Sequence, residues 1–232
     1  MIADLANHRR FILNNAVAEA RHRYAGTAMG MLWHVVQPLA LVVLFAFLFG
    51  GMFPARFAGN GKTSSLLYIM AGMLPWLAFA DCVIRCTTSL TDNAQYLRKL
   101  PLPETVFVAR TAVSSGLMML VSLGAVFLVA LGTGTMPAWA WLTVPAAGAL
   151  LIAFAFGIGL IFANSHVFVK DTGQAVGVCV QFWMWLTPIV LTEGMMPSNL
   201  RRLQVINPAS WFISAIRDPI VSGQVSSPMT GS

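Results

Sequence analysis

The feature that most constrains this chain is the recurrence of apolar windows long enough to cross a bilayer. Tyr24–Phe53 reads YAGTAMGMLWHVVQPLALVVLFAFLFGGMF, a basic, polar lead-in that runs without a loop into some twenty apolar residues. A helix needs about twenty such residues to span the hydrocarbon core, and similar windows recur along the chain. The sequence is 57% hydrophobic and only 9% charged, with a mean hydropathy of +0.74. A soluble domain carries about 25% charged residues. The first window is not a cleavable signal, because a long polar lead-in precedes it, it spans a full bilayer, and no small-residue cleavage site follows. The chain reads as an uncleaved, multi-pass, all-α integral membrane protein.

Five transmembrane helices can be drawn, over about 32–53, 65–84, 106–131, 139–163 and 173–191. A polar loop with Gly59, Asn60, Gly61 and Lys62 follows the first, and Gly132–Thr135 with Pro137 closes the third. The remainder, 192–232, has moderate hydrophobicity, four prolines and no stretch of spanning length. With the N-terminus inside, the cytoplasmic side collects Arg9, Arg10, Arg21, Arg23, Arg85, Arg98, Lys99, Arg110 and Lys170, nine of the fourteen Lys and Arg. That excess sets a cytoplasmic N-terminus. Residues 1–30 form a separate cytoplasmic region. Ile2, Leu5, Ala6, Ile12, Leu13, Ala16, Val17 and Ala20 fall on one side of a helix there, which predicts an amphipathic helix on the membrane surface.

The energy source is constrained by what the spans lack. Ion-coupled transport needs ionisable groups at bilayer depth. The first, fourth and fifth spans contain no Asp, Glu, Lys or Arg, and the third contains only Arg110 near its cytoplasmic end. Asp81 and Arg85 sit i, i+4 at the end of the second span, a spacing that suits a structural ion pair. Gly59–Thr63, GNGKT, looks like the tail of a phosphate-binding loop, but Arg56 stands where the first glycine belongs and no strand precedes it. HExxH, GxSxG and zinc-ligand spacings are absent, and Cys82, Cys86 and Cys179 read as small packing residues. The chain is therefore not expected to be an enzyme. It must draw energy from a separate subunit or be a passive pore. Attention passes to Thr91–Glu104, TDNAQYLRKLPLPE, a short helix cut by Pro101 and Pro103 that would carry force directly into the adjoining spans.

The ordered landmarks resemble the membrane subunit of ABC type-2 exporters, in the branch that exports O-antigen, teichoic acid and capsular polysaccharide. RYAGTAMGMLWHVVQPL (Arg23–Leu39) is similar to that family's start of span one, LLYIMAGMLPWLAFAD (Leu66–Asp81) to its second span, and NAQYLRKLPLPE (Asn93–Glu104) to its coupling loop. VFVKD (Val167–Asp171), TPIV (Thr187–Val190) and NPASWFISAIRDPI (Asn207–Ile220) match later landmarks in order.

The resemblance implies a homodimeric permease in the bacterial inner membrane, paired with two ATP-binding cassette ATPase subunits that hold ATP and Mg. No cofactor is implied in this chain, and no nucleic acid is expected as a partner. It also implies an N-terminal interface helix, a coupling helix, a re-entrant external gate over 192–232, and a sixth span that this sequence does not contain. The ATPase-coupling candidates are Arg9, Arg10, Asn93, Gln95, Tyr96, Arg98 and Lys99. The candidates for the substrate channel and gate are Trp33, Trp76, Trp183, Trp185, Trp211, Asn207 and Arg217. Aromatic faces let a sugar chain slide without tight binding, which suits a lipid-linked polysaccharide as substrate. Asn207 can cap a short helix whose first turn tolerates Pro208. Two readings stay open beside this one. A drug or lipid exporter of the same type usually has a large external domain after span one, where this chain has only about Pro54–Ser64. A passive channel or membrane scaffold leaves the coupling loop unexplained.

Overall fold

Where each helix starts and stops follows from local chemistry. The computed structural model describes residues 5, 7–22, 30–52, 65–99, 102–132, 134, 138–187, 189 and 206–223, all of them helix, turn or irregular, with no strand among them. In chain order the helices are α1 (Arg9–His22), α2 (Trp33–Met52), α3 (Ser65–Asp92), α4 (Ala94–Lys99), α5 (Glu104–Gly132), α6 (Thr143–Phe168), α7 (Thr172–Leu186) and α8 (Pro208–Ser222). Short 3-10 turns, Gly30–Leu32 and Trp139–Leu142, lead into α2 and α6.

Among the described residues, three stretches are long and apolar enough to cross a membrane: Leu66–Asp92, Glu104–Gly132 and Trp139–Phe168. α3 runs eight residues past the expected end of span two, because no breaker interrupts it before Asn93. There the Asn93 N–H and its side-chain amide both donate to the Ser89 carbonyl, at 3.2 and 2.7 Å. The fifth expected span is shorter than drawn. α7 has 15 residues and leaves the helix at Thr187, which precedes Pro188 and so is disfavoured in the α conformation.

The chain divides into two compact units whose borders cut the long helices. The first comprises Met1–Met31, Ala78–Met118 and Leu151–Phe182, and the second Leu32–Leu77, Met119–Leu150 and Trp183–Ser232. In the first unit, Ile12, Ala16 and Ala20 of α1 are buried at helical spacing, and Ile12 packs on Val106 and Ala109 of α5. Leu13 and Val17, expected on the same face, are exposed instead. The apolar side of α1 is thus split between protein and surroundings, a division that sequence periodicity does not show. α3 and α6 approach so closely that a Cβ on Gly159 would collide with the Cys86 Cβ. The buried His166 accepts a hydrogen bond at Nδ1 from the Gly173 N–H at 3.1 Å, which satisfies one of the free amide groups that open α7.

In the second unit, Asn207 caps α8 as the sequence predicts: its side-chain oxygen accepts the Ala209 N–H at 3.1 Å, with Pro208 in the first turn. α8 then continues through Pro219 and closes on Gly223, whose φ of +69° favours glycine. Phe127 and Trp141 stack with centroids 5.1 Å apart.

Candidate functional site

Each unit brings a few of the candidate residues into contact and leaves others exposed. In the first unit, charge gathers at the joint between α3 and α4. Arg85 on α3 donates to Glu19 Oε1 on α1. Arg110 Nε on α5 lies 3.0 Å from Glu19 Oε2. That N–H does not point at the oxygen, so the contact is ionic and not a formed hydrogen bond. Arg110 Nη2 donates to the Asn93 side-chain oxygen at 3.0 Å. Asn93 is also where α4 begins, since its carbonyl accepts the Tyr96 and Leu97 N–H groups at 2.9 and 3.0 Å.

The i, i+4 ion pair expected between Asp81 and Arg85 is therefore not the one formed among the described residues. Ser115 donates to Asp81 at 2.9 Å, while Arg85 turns to Glu19, 66 positions away in sequence. The reason is electrostatic. A carboxylate set between two guanidiniums in a partly dry site is attracted by both, and its charge offsets part of the repulsion between them. Sequence reasoning passed over Glu19. The available signal was that it is the sole acidic residue on an otherwise basic helix.

Of the expected coupling residues, Asn93 joins this cluster and is half-buried, while Arg9, Arg10, Gln95, Tyr96 and Lys99 are exposed. The Arg98 side chain lies outside the described residues. Beside α4 a cavity of about 330 Å³ is lined chiefly by apolar groups of Leu90, Ala94, Leu97, Val167 and Phe168, with Glu104 and Asn164 among its walls.

In the second unit, Asn207 is more than a cap. Its carboxamide oxygen also accepts the Trp183 indole N–H at 2.8 Å, and its amide group donates to the Thr187 hydroxyl at 3.1 Å. The end of α7 is thereby fastened to the start of α8. Trp183 meets Trp76 edge to face, at 6.1 Å and 80°. Trp76, expected in a channel, is only 1% exposed and packs in the interior of this unit. Trp33, Trp185 and Trp211 are exposed. Arg217 is buried, donates to the Tyr68 hydroxyl at 2.9 Å, and holds its guanidinium 4.7 Å from the Tyr68 ring centroid. It also pairs with Asp218 at 3.0 Å. A buried arginine is costly unless it is paired, and Asp218 with the Tyr68 hydroxyl and ring meets that need here.

Three stretches long and apolar enough to cross a membrane, among the described residues, mark an integral membrane protein. The chain belongs to the ABC-2 type transporter family, which it matches over residues 12–221. That interval runs from the buried Ile12 of α1 to the last turn of α8. Among individual proteins, the chain is similar to the O-antigen export system permease protein RfbA of Klebsiella pneumoniae. The two are 25% identical over 202 residues, which is 87% of this chain and 76% of that protein. Another Klebsiella pneumoniae RfbA is 24% identical over the same shares. The Myxococcus xanthus protein of that name is 20% identical over 190 residues, 82% of this chain and 71% of its own.

Proposed function

We propose that this chain is the membrane-spanning permease subunit of an ATP-driven exporter that moves lipid-linked polysaccharide, such as O-antigen, across the bacterial inner membrane. The observation that carries this reading is the extent of the likeness: relatives named as O-antigen export permeases match along 82–87% of the chain. The exposed faces of α1 and α4 support it, since Arg9, Arg10, Gln95, Tyr96 and Lys99 are free to meet a cytoplasmic ATPase. Two ATPase subunits hold ATP and Mg, and two copies of this chain form the translocation path. The N-terminus is cytoplasmic, with residues 1–30 as the interface region. Spans near 32–53 and 173–191 complete five, and 192–232 forms the external gate around α8. Trp33, Trp185 and Trp211 offer the aromatic faces on which a sugar chain slides.

The reading is tested by co-expressing the chain with an ATP-binding cassette ATPase from its own source genome in a host that lacks its own polysaccharide exporter. Surface polysaccharide is expected to return, and to vanish when the ATPase's catalytic residues are replaced. Export that persists with an inactive ATPase rejects the reading and favours a passive pore.

A further inference from the structure

α1 carries three arginines and a single carboxylate, Glu19. That carboxylate faces Arg85 with one oxygen and Arg110 with the other, and the three side chains are only 16–28% exposed. Arg110 then reaches the Asn93 side chain at 3.0 Å, and Asn93 both ends α3 and starts α4. A polar path of three residues, Glu19, Arg110 and Asn93, thus runs from the N-terminal helix to the base of the short helix.

The apolar contact of Ile12 with Val106 and Ala109 also holds α1. Apolar contact is non-directional, however, and lets helices slide. Charged pairs with defined atoms fix register. Arg85 donates a hydrogen bond to one Glu19 oxygen, and Arg110 holds the other by ionic attraction at 3.0 Å, so the carboxylate is anchored from both sides. We propose that Glu19 is a positioning residue that makes α1 and the α3–α4 joint move as one body, so that force applied at α4 also drives α1. The proposal rests on the reading of α4 as the ATPase-facing segment.

Glu19→Gln keeps the shape and removes the charge, while Glu19→Asp keeps the charge. Spin labels at Asn14→Cys and Asp92→Cys, in a Cys179→Ser background, report the distance from α1 to the joint in the purified permease. The distribution is expected to be narrow in the parent, broad in Glu19→Gln and narrow again in Glu19→Asp. In vesicles containing the complete transporter, Glu19→Gln without labels should keep its ATPase and hydrolyse ATP while export per ATP falls roughly tenfold, within the range usual for coupling between sites. Glu19→Asp should recover most of that export. An unchanged distribution in Glu19→Gln overturns the proposal. So does broadening with normal export per ATP, or joint loss of folding and ATPase in both variants. If the parent itself shows no ATP-driven export but the distribution still broadens, the exporter reading fails and the mechanical tie stands.

Discussion

Removing the Asn207 side chain should cost stability in a way that separates its two duties. Asn207→Ala loses the cap of α8, worth about 1 kcal/mol. It also takes the acceptor from the Trp183 indole N–H, which costs about 1–3 kcal/mol when the donor stays buried. The expected loss is about 2–4 kcal/mol in all, by addition of those two. Asn207→Ser keeps a capping oxygen but cannot reach the indole 2.8 Å from the native carboxamide, so it should lose only the second part. Trp183→Phe removes the donor together with the edge contact to Trp76. Combined, Asn207→Ser and Trp183→Phe should therefore cost about 1–3 kcal/mol less than the sum of the single changes, because no indole N–H is left to satisfy. Thermal unfolding of the detergent-purified chain, followed by circular dichroism, reads this out at roughly 2–4 °C per kcal/mol for a chain of this size. Strict additivity, within about 0.5 kcal/mol, would refute the claim that one carboxamide fastens α7 to α8.

The remaining predictions address packing, coupling and orientation. Gly159→Ala should destabilise by about 1–3 kcal/mol through overpacking against Cys86, and Cys86→Gly should relieve much of that loss in the double variant; a Gly159→Ala protein that melts with the parent would contradict the close approach of α3 and α6. Reversing charge at Arg98 and Lys99 should lower ATPase co-purification or transport-coupled turnover, and an unaltered complex with normal export would remove α4 from the interface. Trp211→Ala should reduce export of long chains while ATPase assembly is retained. If export persists and Trp211 is quenched by lipid-borne but not aqueous probes, the residue belongs to the interfacial aromatic belt. In sealed cells, Gly61→Cys and Ser198→Cys should react with an impermeant thiol reagent and Gln95→Cys should not. Labelling at Gln95 would invert the orientation.

Sequence by itself determined what short-range chemistry controls. The membrane class follows from apolar run length, since about twenty residues are needed wherever the helix sits. The start of α8 follows from Asn207 and Pro208, because a cap acts across two or three residues. The short α4 follows from the prolines behind it. The ordered landmarks also identified the family, now matched over residues 12–221. Tertiary structure alone decided which charges meet. Asp81 and Arg85 have the right local spacing, yet Arg85 is drawn to Glu19, 66 residues earlier in the chain, because packing sets that carboxylate between Arg85 and Arg110, where both attract it. It likewise turned Trp76 from a channel candidate into a buried packing residue, and gave Asn207 a second partner 24 positions away in Trp183. Periodicity finds an apolar face, but only the packed neighbours determine that Ile12 on α1 is covered while Leu13 is not.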